Sequence, residues 1–271
     1  MKVSVIIAVY KNIEALKLII CNLKKQIYRN FEVIIAEDGN DSDMLKYVTS
    51  IEGLEVKHTI QEDKGLRKAR SQNNGILAAD GEYLIFIDGD CIPYTTFIDG
   101  HVKLVEEKTV LSGRRVNLNE KVTQKIFSNH LISLDVEKNY LIQFDLMFDK
   151  SVKYEQGIYV SPNSLFYKKI LNKKNRNIEI LGCNFSCFRK DFVAINGFDE
   201  GYGGSALSDD TDLTWRFKAY GATLKSCKNA ANVFHLFHKM HNRGNPSKEI
   251  ALMKKNQQAN RFVCEKGLNT H

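Results

Sequence analysis

Two carboxylates separated by one glycine, Asp88-Gly89-Asp90, end an unbroken apolar run, Tyr83-Leu84-Ile85-Phe86-Ile87. A run without polar alternation reads as a strand covered on both faces. Unpaired carboxylates cannot follow it into a core, because burying charge is costly. They must meet water, a counter-charge or a cation, and Gly89 lets both turn toward one place. Two hard oxygen ligands on a tight turn suit a divalent cation such as Mn²⁺ or Mg²⁺, which would also hold substrate phosphates. Asp-Gly is equally ordinary turn chemistry, so this stretch alone leaves both readings open.

Other side chains could work with it. Glu37-Asp38 closes a second apolar run, and Ser208-Asp209-Asp210-Thr211-Asp212 opens a helical pattern. Acids in a first helical turn are also favoured by the helix dipole, which gives a purely structural account of the three aspartates. His235 and His238 sit at the end of a short apolar stretch, as ligands or as packing. The glycine fingerprint of dinucleotide sites is absent after the first strand, and so is the phosphate loop ending in Gly-Lys-Ser/Thr. Cys183 and Cys187 are four apart with no matching second pair, which disfavours zinc.

The elements that must position these residues follow a repeating order. Lys2 to Val9, Phe31 to Ala36, Leu54 to Ile60 and Gly81 to Cys91 read as strands. Ile13 to Gln26, with Asn12 as N-cap, Asp43 to Ser50, and Gly65 to Ala79, broken near Asn73-Asn74-Gly75, read as helices. Such alternation predicts an α/β fold with an open, mostly parallel sheet, whose ligands bind at the carboxyl ends of the strands. Residues 114–180 are less regular, with helices expected over Val122 to Val136 and Ser164 to Leu171 around an aromatic-rich stretch. A strand over Leu181 to Arg189, a helix from Asp191 to Asn196, a helix from Ser208 to Ala219 and a strand from Val233 to His238 follow. Ser247 to Cys264 has the spacing of a peripheral helix.

The chain has 271 residues, 43% hydrophobic, and a net charge of +7. That charge suits anionic partners: nucleotide phosphates, an anionic lipid surface or nucleic acid. Nothing besides charge argues for nucleic acid. Lys168, Lys169, Lys173, Lys174 and Arg176 form a basic cluster that is a solvated face, part of an acceptor-side subregion or a membrane-surface contact. The first residues run straight into a strand pattern, and no apolar run reaches membrane-spanning length. With free thiols, these features lead to the expectation of a cytoplasmic protein, peripheral at most to the inner face of a membrane.

Taken together, the motifs resemble an inverting nucleotide-sugar glycosyltransferase of family 2, with the GT-A fold and a C-terminal galactosyltransferase-type module. Val3 to Tyr10 is similar to the family's opening strand, and Glu37-Asp38-Gly39-Asn40 to its Asp-Asp-Gly-Ser turn. Gly65, Ala69, Arg70 and Asn73 match Gly-x-x-x-Ala-Arg-x-x-Asn, and Asp88-Gly89-Asp90 matches the D-x-D motif. Gly182 to Leu213 resembles the module's Gly-x-Asn-x-Ser-x-x-Arg, Gly-Gly-Phe-Asp-Glu and Glu-Asp-x-Asp-Leu pattern. Asn196 replaces the first Gly of Gly-Gly-Phe-Asp-Glu, Gly203-Gly204-Ser205 lacks the family's Trp, and Asp209-Asp210 stands for Glu-Asp.

The resemblance implies direct displacement at the anomeric carbon of a UDP-sugar by a hydroxyl of a glycan or lipid-linked acceptor. It implies Mn²⁺ or Mg²⁺ on Asp90, with Asp88 facing the metal or the ribose, and His235 preferred over His238 as the late ligand. It places Asp38 on the uracil or ribose edge, Ala8 and Tyr10 along the base, Gly89 at the nucleotide, and Lys64 and Arg70 as nucleotide contacts. Asp210 would be the base and Asp209 would orient the acceptor. The nucleotide-sugar half would span 1–113 and the acceptor and base half 114–246, with 247–271 peripheral. The rivals are a nucleotidyltransferase, disfavoured by Tyr10-Lys11-Asn12 where a Gly-rich basic loop belongs, and a non-catalytic nucleotide-sugar-binding module, disfavoured by the presence of Asp88, Asp90 and Asp210.

Overall fold

The structure is a computed structural model; it describes residues 1–128, 133–172, 178–202, 210–239 and 247–271. Four parallel strands carry its first half: β1 (Val3–Val9), β2 (Phe31–Glu37), β3 (Val56–Thr59) and β4 (Tyr83–Asp88). Beside β4 lies the antiparallel β8 (Asn184–Phe188), followed by β6 (Thr109–Ser112) and β9 (Thr223–Ser226). The strand order is β3-β2-β1-β4-β8-β6-β9, so the order turns back between β1 and β4. A smaller sheet joins β5 (Cys91–Pro93), which α4 (Phe97–Val102) follows in sequence, with β10 (Asn232–His235) and β7 (Arg114–Asn117), in the order β5-β10-β7. This is the expected mixed, mostly parallel α/β architecture.

Alternation along the strands supplies two cores. Val5, Ile7, Val33, Ile35, Ile85 and Ile87 face one side, against α1 (Ile13–Leu23) and α2 (Ser42–Thr49). Ile6, Ile34, Leu84 and Phe86 face the other, against α3 (Lys68–Ala78), α8 (Arg189–Ala194) and α9 (Thr211–Tyr220). Phe86 stacks on Phe185 at 4.6 Å and meets Phe192 and Phe198 at 5.1 and 5.5 Å. Both helices of the first core start on capped ends: Asn12 accepts from Ala15 N–H, and Asp41 from Asp43 and Met44 N–H.

The expected break in α3 does not occur. A Cβ on Gly75 would stand 3.0 Å from Ile6 Cγ2 and 3.3 Å from Ala36 Cβ, so the glycine lets an intact helix lie close on the sheet. Asn73, also on α3, donates to Phe198 O and accepts from Phe198 N–H, fastening the first half to the second.

Residues 114–180 differ more from expectation. In place of one helix over Val122 to Val136 there are α5 (Glu120–Phe127) and α6 (Ser133–Lys138), followed by α7 (Phe144–Met147). The second helix there is a π-helical turn, Tyr167–Leu171. The aromatic stretch packs on itself: Tyr140 and Tyr154 stack at 4.6 Å, and each hydroxyl donates to the other's carbonyl at 2.7 Å.

The last helix, α10 (Ser247–Gln258), stops short of Cys264, and the chain then returns to the Asn196 turn. Asn196 has φ +63°, a left-handed conformation that Asn tolerates and glycine adopts freely. Its amide donates to Cys264 O, and its side-chain carbonyl accepts from Asn269 N–H. The segment after α10 is therefore tied into the fold rather than peripheral.

Candidate functional site

Sheet register brings the first-half residues to one edge. Ala8 lies opposite Asp88 and Val9 opposite Glu37. Gly89 N–H donates to Ala8 O at 2.8 Å, and Asp38 N–H to Val9 O at 2.9 Å. A Cβ on Gly89 would stand 2.8 Å from Ala8 O, so only glycine permits this approach. The edge is at the turning point of the strand order, where such sheets take ligands.

The smaller sheet adds the histidines. His235 pairs with Cys91 in register, and Leu236 N–H donates to Asp90 O at 3.0 Å. His235 Nε2 lies 3.4 Å and His238 Nε2 3.3 Å from Asp90 Oδ2. Burial opposes ionisation of Asp90, but contact with His235 and the charges of both histidines outweigh it and hold the carboxyl at about 2. One carboxylate oxygen and two imidazole nitrogens form a donor set that fits Mn²⁺. Cys91 Sγ is also within 4.8 Å of the Asp90 and His235 ligand atoms. Burial pushes its thiol well up from the ordinary range.

Asp88 differs from Asp90: its Oδ1 lies 2.6 Å from Lys68 Nζ at the start of α3. Lys68 was not among the sequence candidates; it sits between Lys64 and Arg70, with only its charge to mark it. Lys64 is exposed on the loop before α3. Arg70 turns the other way and pairs with Glu200 at 3.3 Å. Asp38, almost fully buried, accepts from Gln61 Nε2 at 2.6 Å and Arg67 N–H at 2.7 Å. Glu37 binds His58 Nε2 at 2.8 Å and Asp41 N–H at 2.8 Å. Tyr10 is half exposed, with its hydroxyl 3.4 Å from Asp63.

Asp210 precedes α9, accepts from Gly182 N–H, and lines a polar cavity of about 420 Å³. Arg114, Arg115 and Asn117 of β7 line the same cavity. Asn117 is in register with His235, so the cavity adjoins the histidine end of the smaller sheet. Asp209 lies outside the described residues, as does the basic run from Lys173 to Arg176. Asp212 is fully buried and holds structure: it accepts from Tyr202, Trp215 and Arg216 at 2.7, 2.9 and 3.2 Å. Sequence reasoning missed Arg114 and Arg115, whose short strand joins a sheet built from three distant segments.

The chain belongs to glycosyltransferase family 2: residues 4–192 match the family described as glycosyl transferase family 2. Residues 167–239 match the family described as the N-terminal domain of galactosyltransferase. Over 123 residues the chain is 32% identical to the amylovoran biosynthesis glycosyltransferase AmsB of Erwinia amylovora, covering 44% of this chain and 40% of AmsB. Over 185 residues it is 23% identical to the Escherichia coli UDP-Glc:alpha-D-GlcNAc-diphosphoundecaprenol beta-1,3-glucosyltransferase WfaP, covering 68% of this chain and 58% of WfaP. It therefore spans less than two thirds of either relative. Staphylococcus aureus TarS 1-349 in complex with UDP-GlcNAc has the same fold, with TM-score 0.62 and 15% identity over 100% of this chain and 69% of TarS 1-349. The GT-A fold read from the sequence is thereby established.

Proposed function

We propose that the chain transfers a hexose or N-acetylhexosamine from a UDP-sugar to a hydroxyl of a glycan or lipid-linked saccharide, with inversion, in surface-polysaccharide synthesis. The observation that carries this reading is the meeting of Asp90 with His235 and His238 at the turning point of the sheet, beside the cavity that holds Asp210. The amylovoran, diphosphoundecaprenol and UDP-GlcNAc associations of AmsB, WfaP and TarS support the substrate class.

Asp90, His235 and His238 would hold Mn²⁺ or Mg²⁺, which when bound supplies Lewis-acid neutralisation of the diphosphate charge. Asp38 accepts from the uracil or ribose edge, with Ala8 and Tyr10 along the base. Asp88 and Gly89 border the ribose and diphosphate, and Lys64 and Lys68 face the phosphates. Arg70 acts through Glu200, keeping the Phe198–Glu200 turn against α3. Asp210, oriented by Gly182 N–H, takes the proton of the attacking hydroxyl. Asp209, next to it in sequence, orients the acceptor.

A peripheral membrane-surface contact is supported by Leu141, Ile142, Phe144 and Phe148, which are 62% to 77% exposed, beside Lys121 and Lys125 in their ion pairs with Asp145. No helix among the described residues is long and apolar enough to cross a membrane. The function is tested by UDP release from a panel of UDP-hexoses and UDP-N-acetylhexosamines with Mn²⁺. Metal-dependent UDP release from at least one is expected; release from none, or release of GDP or dTDP from GDP- or dTDP-sugars alone, contradicts it.

A further inference from the structure

The Asp210 cavity carries more positive charge than the chemistry above uses. Arg114 and Arg115 on β7 and Lys153 share its wall with Asp210 and Glu179. None of the three cations ion-pairs with a carboxylate among the described residues. Arg114 Nη1 donates to Gly113 O at 2.7 Å and Ser112 Oγ at 3.2 Å, which fixes the guanidinium without neutralising it. Arg115 Nη1 lies 3.6 Å from Cys183 Sγ, so its guanidinium is engaged there. That leaves Arg114 and Lys153 lining the cavity with no carboxylate ion-paired to either among the described residues. A fixed guanidinium and an ammonium lining one cavity suit an oxyanion, carboxylate or phosphate.

We propose that Arg114 and Lys153 form a subsite for an oxyanion, carried either as a carboxylate on the donor's sugar or as a phosphate or carboxylate on the acceptor, beside the hydroxyl that Asp210 deprotonates. This rests on the proposed function and narrows its substrate class to reactions in which one sugar partner is charged. The subsite is separate from the diphosphate clamp at Asp88 and Asp90. Its placement next to Asp210 makes it selective at the reacting end of the substrate rather than at the nucleotide.

Calorimetry on wild-type protein and on Arg114→Gln, Lys153→Gln and Arg114→Lys variants tests it. One arm titrates UDP, UDP-glucose and UDP-glucuronate in Mg²⁺. The other titrates GlcNAc 1-phosphate and GlcNAc into protein with and without saturating UDP. Preference for UDP-glucuronate over UDP-glucose assigns the anion to the donor, and preference for GlcNAc 1-phosphate over GlcNAc assigns it to the acceptor. Either preference should fall about tenfold in each Gln variant, the loss expected for a charged hydrogen bond, with UDP affinity unchanged and Arg114→Lys partly restored. Absence of both preferences in the wild type overturns the proposal. So does an equal loss of UDP affinity in the Gln variants, which would make these residues part of the diphosphate clamp. Failure of UDP itself to bind the wild type would instead sink the proposed function, while the GlcNAc 1-phosphate arm on unloaded protein still decides the subsite.

Discussion

His235 is held against Asp90 by backbone as well as by side chain. Leu236 N–H donates to Asp90 O at 3.0 Å, and the imidazole Nε2 stands 3.4 Å from the carboxylate. β10 therefore delivers the histidine to the carboxylate by register, across 145 residues of sequence. His238 reaches the same oxygen from beyond the strand end and is more exposed, 42% against 12%. His235→Ala should accordingly weaken Mn²⁺-dependent UDP binding by about tenfold or more, and His238→Ala by less. Equal effects would show that the buried position of His235 confers no advantage.

Asp210→Asn keeps an acceptor for Gly182 N–H but cannot take a proton. Transfer should fall by about 10²- to 10⁴-fold, the usual scale of general-base catalysis, with UDP affinity intact. Loss of UDP binding in parallel would remove Asp210 from the base role.

Inversion follows from a single displacement with one base. The product's anomeric configuration, read by NMR coupling constants, should be opposite to that of the donor. Retention would require a second displacement and overturn the mechanism.

Asn196 carries the left-handed turn that ties the last residues to α8. Asn196→Gly keeps the conformation but loses the contacts to Cys264 and Asn269. Asn196→Ala loses both, and the left-handed backbone alone costs about 1–2 kcal/mol. Thermal melts should therefore rank wild type above Gly, and Gly above Ala. An Ala variant as stable as the Gly variant would contradict this account of the turn.

Acid should attack the fold at His101. The ring is fully buried, with Nε2 3.1 Å from Asn184 Oδ1 and Nδ1 2.8 Å from Ser186 Oγ. Burial lowers its pKa to about 3 from an ordinary 6.5. The unfolded chain therefore binds this proton first. The stability of the neutral form is complete above 6.5 and is lost as pH falls toward 3, by about 1.4 kcal/mol per pH unit. Denaturant midpoints between pH 6.5 and 4 should fall more steeply for wild type than for His101→Gln. Equal slopes would place acid sensitivity elsewhere.

What the sequence made legible is what local pattern encodes. Apolar runs announced β1, β2 and β4, and the acids ending them lie on one edge because parallel strands share a direction. The continuity of α3 was not legible, because Gly75 is there to fit Ile6 and Ala36, which only the packed sheet supplies. Arg114 and Lys153 gave no signal for a similar reason. Each is one basic residue among many until the fold brings β7 and the Lys153 loop to the cavity that Asp210 lines. Asn196 departs from Gly-Gly-Phe-Asp-Glu, yet it takes a positive φ that glycine also adopts freely, and its side chain adds a tie to the C-terminal segment.

The most direct test of the account is UDP binding by calorimetry, in Mn²⁺ and in excess chelator, for wild type and Asp90→Ala. The account predicts binding by the wild type in Mn²⁺ that is lost in chelator and lost in Asp90→Ala under both conditions. Undiminished UDP binding by Asp90→Ala in Mn²⁺, or by the wild type in chelator, would contradict it.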